Sequence, residues 1–444
     1  MNVNLNGKKV AVVGLGISNI AVIGYLLKHD LKRLSVFDTR MNPPYVDELP
    51  RGVDLNLGPL SADLLKSFDI IVVSPGISIT IPELKAAAEA GVQIIGDIEL
   101  FAFEAKAPVV GITGSNGKST VTALVASMAD CDGRCVAVGA NFGVAVFDIL
   151  SDKTELYVLE LSSFELETTS SLQLAAGTIL NVSEDHLDRY NGDIELYAKA
   201  KQRIFKHCCR IVVNRDDPRT IPADGRFYAS FGADNSDYGR EVTPEGVFLT
   251  KRGRRVFNCR ELVICGSHNE LNALAAMALA DAVGISEKAQ LEALRTFQGL
   301  EHRCQLVRVL DGVSFYNDSK ATNVASAQAA IEGLCDRHQN GIILLAGGLG
   351  KGQDFSPLKQ YLGSEVKKIF CFGRDADKLL ALDPKYTKGV LNLRQALNEA
   401  FEIAKPGQAI LLSPACASFD QFKGYEERGR IFVNLVTHLE HKEE

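Results

Sequence analysis

The run Val109-Val110-Gly111-Ile112-Thr113-Gly114-Ser115-Asn116-Gly117-Lys118-Ser119-Thr120 constrains this chain more than any other stretch. A short apolar segment passes into glycines, then Lys-Ser-Thr, then the helical pattern Val121 to Met128, which is the strand, loop and helix order of a phosphate-binding turn. Glycines let backbone N–H groups close on phosphate oxygens, a helix N-terminus favours negative charge, Lys118 adds a point charge, and the Ser119 hydroxyl can ligate Mg²⁺. Each part meets a need of a nucleoside triphosphate. The spacing departs from G-x-x-x-x-G-K-S at position 112, where Ile112 replaces glycine. A glycine-rich turn with a solvated lysine is the plain alternative.

Upstream, Lys8 to Val13 reads as a buried strand entering Gly14-Leu15-Gly16, with Ser18 opening a helix from about Ile20 to Leu27. Leu34 to Phe37 form a second strand ending at Asp38-Thr39-Arg40, which places an acid near where a ribose-binding one is expected. Asn19 replaces the third glycine of the dinucleotide fingerprint, so that fingerprint is incomplete. A third strand, Asp69 to Val73, ends in Ser74-Pro75-Gly76, again a turn at the carboxyl end of a strand, where open α/β sheets bind ligands. Residues 1–96 are thus expected to form a Rossmann-like domain that binds a nucleotide-like group, with a purely structural sheet as the alternative.

The central region, 97–301, carries the phosphate loop. Asn141 lies in the glycine-flanked turn after the strand Cys135 to Val138. The strand Leu156 to Leu161 is apolar except for Glu160, whose charge is costly in a core unless it faces a cation beside phosphates or sits at an exposed end paired with an arginine. Ile179 to Val182 reads as another strand, followed by a polar cluster containing His186. From Asp193 to Cys209 the apolar positions Ile194, Tyr197, Ile204 and Cys208 follow helical spacing; Lys201 shares their face, while Lys199 and Lys206 do not. Burial would leave Lys201 a neutral, nucleophilic amine, and snorkelling to the surface is the alternative. Asn269 and Asn272, near the start of the helix Leu271 to Val283, suit adenine or phosphate contacts or simple capping.

Residues 302–444 alternate strands (Val313 to Tyr316, Ile342 to Ala346, Lys368 to Phe372, Ala409 to Leu412) with helical stretches, as in another open α/β sheet. Polar clusters again follow strands, at Asn317 to Asn323, Gly347 to Lys351 and Ser413 to Phe419. Three such turns on one edge describe a binding face.

A length of 444 residues accommodates three such domains. With 48 basic and 55 acidic residues the net charge is −7 and no basic stripe stands out, which argues against a nucleic-acid partner. No apolar run approaches a membrane span and the start is not a signal peptide, so a cytoplasmic protein without membrane insertion is expected. Ten cysteines without C-x-x-C spacing read as free thiols of a reducing compartment.

Taken together, the chain closely resembles the Mur ligases of bacterial peptidoglycan synthesis. The resemblance spans the whole chain and rests on T-G-S-N-G-K-S-T, which explains Ile112, on Ser74-Pro75-Gly76 and Glu160-Leu161-Ser162-Ser163, and on Glu184 to Tyr190, Asn317 to Asn323 and Pro414 to Ser418. It implies an α/β protein of three domains: N-terminal and Rossmann-like (1–96), central P-loop-type ATPase (97–301), and C-terminal Rossmann-like (302–444). It further implies a monomeric ligase that adds D-glutamate to UDP-N-acetylmuramoyl-L-alanine with ATP, through an acyl phosphate and a tetrahedral intermediate.

In that family Ile17, Ser18, Asp38, Thr39, Arg40, Ser74, Pro75, Gly76, Asn141 and His186 occupy positions for the UDP substrate. Gly114, Ser115, Asn116, Gly117, Lys118, Ser119, Thr120, Asn269, Arg303, Asp318 and Lys320 occupy those for ATP, and Thr322, Lys351, Ser418 and Phe419 those for D-glutamate. Ser119, Glu160, His186 and Lys201 match the site of two Mg²⁺ ions, which Mn²⁺ can replace, with Lys201 as a CO₂-derived carbamate; Lys118, His186 and Lys201 are the catalytic set. Leu349, Phe419 and Tyr425 depart from the family's usual residues. A nicotinamide dehydrogenase would leave Gly117-Lys118-Ser119 unexplained, a folylpolyglutamate synthase would not carry Asp38-Thr39-Arg40, and a nucleotide sensor would bind ATP without releasing phosphate.

Overall fold

Four consecutive apolar residues, Val10 to Val13, have no polar face to turn to water, and such a run is stable inside a sheet covered on both sides. In the computed structural model, which describes residues 4–187, 189–264, 266–335 and 337–441, this run lies in β1 (Lys9–Val13), the middle of a five-stranded parallel sheet. With β2 (Arg33–Asp38), β3 (Asp54–Leu57), β4 (Ile70–Val73) and β5 (Gln93–Ile95) the order is β3-β2-β1-β4-β5. The chain reverses its direction of winding between β1 and β4, so the turns at Gly14 to Ser18, Asp38 to Arg40 and Ser74 to Gly76 share one edge. The first helix starts at Ile17, one turn earlier than the apolar pattern implied.

The second sheet has nine strands: β6 (Val109–Thr113), β7 (Val136–Ala140), β8 (Leu156–Glu160), β9 (Leu174–Ile179), β10 (Cys208–Asn214), β11 (Ala229–Phe231), β12 (Tyr238–Thr243), β13 (Gly246–Lys251) and β14 (Arg254–Asn258). Their order is β14-β13-β12-β11-β10-β9-β6-β8-β7, parallel from β7 to β12 and antiparallel through the last two. β6 lies between β8 and β9, so the loop after β6 is flanked by the ends of both. Arg254 and Arg255 on the edge strand pair with Glu287 and Glu241.

Two expectations are corrected here. The strand expected at Ile179 to Val182 is β9, which ends at Ile179; residues 180 to 182 instead leave the sheet and bond to the phosphate loop and to Asp217. The helix expected to reach Cys209 ends at Gln202 and passes through a 3-10 turn (Arg203–Phe205), and Cys208 opens β10. Both Cys208 and Ile204 remain buried, so apolar spacing alone did not distinguish one long helix from a helix, a turn and a strand.

The third sheet is β15 (Gln305–Leu310), β16 (Val313–Asn317), β17 (Ile342–Gly347), β18 (Val366–Phe372), β19 (Thr387–Gly389) and β20 (Ala409–Leu412), in order β15-β16-β20-β17-β18-β19. Only the β15–β16 pair is antiparallel. Contacts divide the chain into two units: Met1–Glu261 with Leu271–Thr296, holding the first two sheets, and Leu262–Glu270 with Phe297–Glu444, holding the third. Nine cysteines are free, and the tenth, Cys265, lies outside the described residues, as does Asp188 of the Glu184 to Tyr190 motif. Among the described residues no helix is long and apolar enough to cross a membrane.

Arg428, on the helix Tyr425–Thr437, is fully buried beneath the third sheet's loops. Its Nε donates to Ser319 Oγ at 3.0 Å, Nη1 to the Cys416 carbonyl at 3.1 Å and Nη2 to the Ser319 carbonyl at 2.8 Å. Burial pulls the guanidinium down to about 10, which still leaves it charged at neutral pH. Arg428→Met keeps the stem but strands three buried acceptors, and is expected to destabilise the C-terminal unit by about 2–4 kcal/mol. Urea unfolding followed by circular dichroism should show the lower midpoint.

Candidate active site

The phosphate loop is built by its neighbours as much as by its glycines. As β6 ends, the Leu180 amide donates to the Thr113 carbonyl at 2.9 Å and the Ser115 amide to the Asn181 carbonyl at 2.9 Å. The Asn181 side chain then grips Asn116 from both sides, accepting from its amide at 2.9 Å and donating to its carbonyl at 3.1 Å. Ser115 Oγ donates to the Ser183 carbonyl and accepts from the Ser183 amide, both at 3.0 Å. Gly117 has φ +85°, and a Cβ there would come within 2.5 Å of Asn272 Oδ1, so glycine is required twice over. The helix Lys118–Cys131 begins at the lysine itself, which puts Lys118, Ser119 and buried Thr120 in its first turn.

Lys118 Nζ donates to the carbonyls of Gly114 at 2.9 Å and Ser115 at 3.1 Å, so its charge lies over the loop. Ser119 Oγ donates to Glu160 Oε2 at 2.6 Å, and Glu160 is 3% exposed. Of the two sequence-level readings of Glu160, the exposed end is excluded. Asn141 follows Ala140, whose φ is +69°, and its amide donates to the Glu160 carbonyl at 3.0 Å, which brings the Asn141 turn against the end of β8.

Lys201 is 1% exposed, whereas Lys199 and Lys206 are exposed, so the helical-face argument holds. Its Nζ donates to the Gly114 carbonyl at 3.0 Å and lies 4.3 Å from the centroid of the Tyr197 ring. Burial, joined by the positive charge of Lys118, holds this amine well below the usual lysine range against the opposing pull of Asp185 and Glu160. His186, at φ +52°, pairs with Asp185 at 3.6 Å and sits edge-on to Phe164. Among the described residues no three His, Cys, Asp or Glu side chains gather at one point.

On the first sheet, Asp38 accepts from the Leu15 amide at 2.8 Å and from Arg40 Nη2 at 2.6 Å. Burial opposes its ionisation, but the bonds from Arg40 and Leu15 outweigh it and hold the carboxyl down to about 2. Ile17 and Thr39 are exposed, Gly76 is exposed beside half-buried Ser74 and Pro75, and Ser18 bonds the carboxyl of Asp97.

The second unit carries its own cluster at the ends of β16, β17 and β20. Asp318 accepts from Ser413 Oγ at 2.7 Å and the Cys304 amide at 3.1 Å, and burial pushes it up to about 7 despite Arg303 and Arg428. Lys320 Nζ lies 3.7 Å from the centroid of the Tyr425 ring. Leu349 and Ala417 form a two-way backbone bridge, 2.8 and 2.9 Å, that binds the loops after β17 and β20 to each other. Thr322 is half-buried, Lys351 is exposed at φ +51°, Ser418 is buried and its neighbour Phe419 is 69% exposed. Asn269, on the helix Ser267–Ala282, is buried.

A strand-loop-helix phosphate site with a buried carboxylate under the loop hydroxyl defines a P-loop-type nucleotide-binding protein. Comparison with known proteins makes the class more specific. The Mur ligase MurD-like N-terminal domain matches residues 8–96, the Mur ligase middle domain residues 112–280 and the Mur ligase glutamate ligase domain residues 302–416, and the chain belongs to the Mur ligase family. It is 48% identical over 437 residues to the UDP-N-acetylmuramoylalanine--D-glutamate ligase of Escherichia coli K12, covering 98% of this chain and 99% of that one. The protein of the same name from Yersinia pseudotuberculosis is 48% identical over 440 residues, covering 98% and 100%. Among solved structures, the Thermotoga maritima UDP-N-acetylmuramate-alanine ligase superposes with a TM-score of 0.60 at 20% identity, covering 97% of this chain and 99% of that one. The MurF ligase of the same organism, in complex with ADP, gives 0.61 at 17% identity over 98% and 96%. These structures share the fold.

Several residues that build the site went unnoticed in the sequence: Asn181, Asp97, Glu165 and Arg428. Glu165 had a signal, because Ser162-Ser163-Phe164-Glu165 is a capping-box pattern, and the box is present at the helix Ser163–Glu167. Asp97 and Glu165 are both buried; burial pushes both carboxyls up, and at Glu165 the charge of Asp97 adds to it. The folded chain therefore retains a proton that the unfolded chain has already released once pH passes the ordinary glutamate range, so stability falls from there up to the elevated value of about 8 and levels off above it. Glu165→Gln removes that loss. Thermal melts should show the variant gaining on the wild type between about pH 5 and 8, levelling off above that, with the difference vanishing toward pH 4.

Proposed function

We propose that the chain joins D-glutamate to the L-alanine carboxylate of UDP-N-acetylmuramoyl-L-alanine, consuming ATP and releasing ADP and phosphate in the cytoplasm. The observation that carries this reading is the loop itself: Lys118 over the Gly114 and Ser115 carbonyls, with Ser119 hydrogen-bonded to buried Glu160. The near-full-length identity to D-glutamate ligases supports the choice of amino acid. A carboxylate is a poor electrophile, so its oxygen first attacks the γ-phosphorus of ATP to give an acyl phosphate. The amine of D-glutamate then adds to the carbonyl, and the tetrahedral intermediate collapses with loss of phosphate, the amine proton passing to solvent or a phosphate oxygen.

Each step spreads negative charge over phosphate oxygens, which the loop amides, the helix N-terminus and Lys118 are oriented to receive. Asp38 and Arg40, with the Ser74 to Gly76 turn, hold the uridine diphosphate end; Arg303, Asp318, Lys320 and Asn269 hold nucleotide; Thr322, Lys351 and Ser418 hold D-glutamate. Mur ligases generally use Mg²⁺, and Ser119 with Glu160 suits it, being hard oxygen donors beside a phosphate loop. Bound there, the ion neutralises phosphate charge. A second ion would draw on His186 and Lys201, the latter as a carbamate, and Mn²⁺ would substitute.

Lys118→Ala is expected to lower phosphate release at least about a hundredfold, since one lost charge stabiliser costs roughly 3 kcal/mol in a transition state. Near-normal release from a variant with wild-type circular dichroism would refute the assignment. D-Glutamate should support release and L-glutamate, lysine and meso-diaminopimelate should not, because a charged group left unpaired in its pocket is costly.

The neutral amine of Lys201 adds CO₂ to form a carbamate and one proton. Two unit charges about 4 Å apart interact by roughly 4 kcal/mol at a dielectric of about 20, so the change of sign at this position governs cation retention. Wild-type protein equilibrated with ¹³C-bicarbonate should show a carbamate carbon by NMR that Lys201→Ala lacks. Activity lost on CO₂ removal at mildly acid pH should return with bicarbonate in the wild type alone.

A further inference from the structure

Arg189 lies in the loop between β9 and the helix Ile194–Gln202, three residues beyond His186, and its amide donates to the His186 carbonyl at 3.0 Å. Its side chain is 12% exposed and serves two sheets at once. Within the second sheet's layer it pairs with Glu167 through Nη2 at 2.8 Å, and its guanidinium carbon lies 4.3 Å from the centroid of the Phe164 ring, the ring that also meets His186. Toward the first sheet it donates from Nη1 to the Pro75 carbonyl at 3.4 Å and from Nη2 to the Ile77 carbonyl at 3.3 Å. These are long bonds, made by a half-buried cation.

That turn is fixed on its other side. Ser74 donates its amide to the Val13 carbonyl at 2.9 Å, and Gly14, at φ +90°, lets Ile77 and Ser74 approach to 2.7 and 2.9 Å of where a Cβ would stand. Arg189 is thus the tie between the turn at the end of β4 and the loop that carries His186. A substrate bound by its diphosphate at the first and by its reacting carboxylate near the second spans a fixed length, and both ends are satisfied together only if the two loops keep one separation.

We propose that Arg189 is a positioning residue that sets this separation, so that it governs binding of the whole UDP-N-acetylmuramoyl-L-alanine while leaving binding of the UDP fragment alone unchanged. Lysine cannot replace it, since one ammonium does not reach Glu167 and two carbonyls in a plane while stacking on Phe164. The inference rests on the reading of the Ser74 to Gly76 turn as the diphosphate site.

Isothermal titration of wild type, Arg189→Met, Arg189→Lys and Glu167→Gln with UDP and with UDP-N-acetylmuramoyl-L-alanine tests it. Arg189→Met is expected to weaken the whole substrate at least about tenfold with UDP unchanged, with Arg189→Lys and Glu167→Gln intermediate. In steady state the KM for that substrate should rise while the KM for ATP stays, whereas a merely structural role would lower kcat with the folded fraction. Equal weakening of UDP and of the whole substrate, or no weakening of either, overturns the proposal. If Arg189→Met does not fold, Glu167→Gln alone decides on the same criteria. Failure of wild-type protein to bind UDP would instead refute the site reading itself.

Discussion

A parallel strand that ends leaves its last backbone groups without ladder partners, and each must find a donor or acceptor where the chain turns away. In all three sheets the solution is to carry the ladder one or two residues beyond the strands. Gly14 donates to the Phe37 carbonyl, Ser115 to that of Asn181, Asp318 to that of Leu412, and Gly347 to that of Pro414, all at 2.7 to 2.9 Å. The loops that result are extensions of rigid sheets, and this is why short polar turns can hold side chains in place without secondary structure of their own. Where the backbone ladder stops, side chains take over: Asn181 on Asn116, Asp38 on Leu15, Arg428 on Ser319 and Cys416.

The same edges concentrate charge where water is scarce. Glu160, Lys201, Asp318 and Arg428 are all buried, each with specific hydrogen-bond partners and each near the end of a strand or on the helix packed against it. Burial moves three of these groups unequally: Lys201 toward the neutral amine and Asp318 toward the protonated acid, while Arg428 keeps its charge.

Most of the fold was legible because parallel strands covered on both faces leave unmistakable apolar runs; Ala409–Leu412 was read to the residue. The phosphate loop and Lys201 were legible for a related reason, since glycine density and a lysine on an apolar face both violate local expectation. The misplacement of β9 and the overlong helix ending near Cys209 have one cause: a buried apolar residue looks alike in a helix, a turn or a strand when the segment is short. Arg428 and Asn181 were invisible because their partners are distant backbone carbonyls and amides, which no local pattern encodes. Arg189 stood inside a recognised motif, yet nothing in its neighbours announced that it would reach residues more than a hundred positions away.

The nine-stranded sheet ends on β14, and the outer row of that strand is where another chain could add itself. Arg254 and Arg255 stand there, held by Glu287 and Glu241 rather than left to swing. A strand arriving from a second molecule would have to displace these pairs and bury two cations against its own backbone, which favours staying apart. This edge of the nine-stranded sheet is thereby guarded against joining copies of the chain into aggregates, the hazard that long parallel sheets carry while they fold.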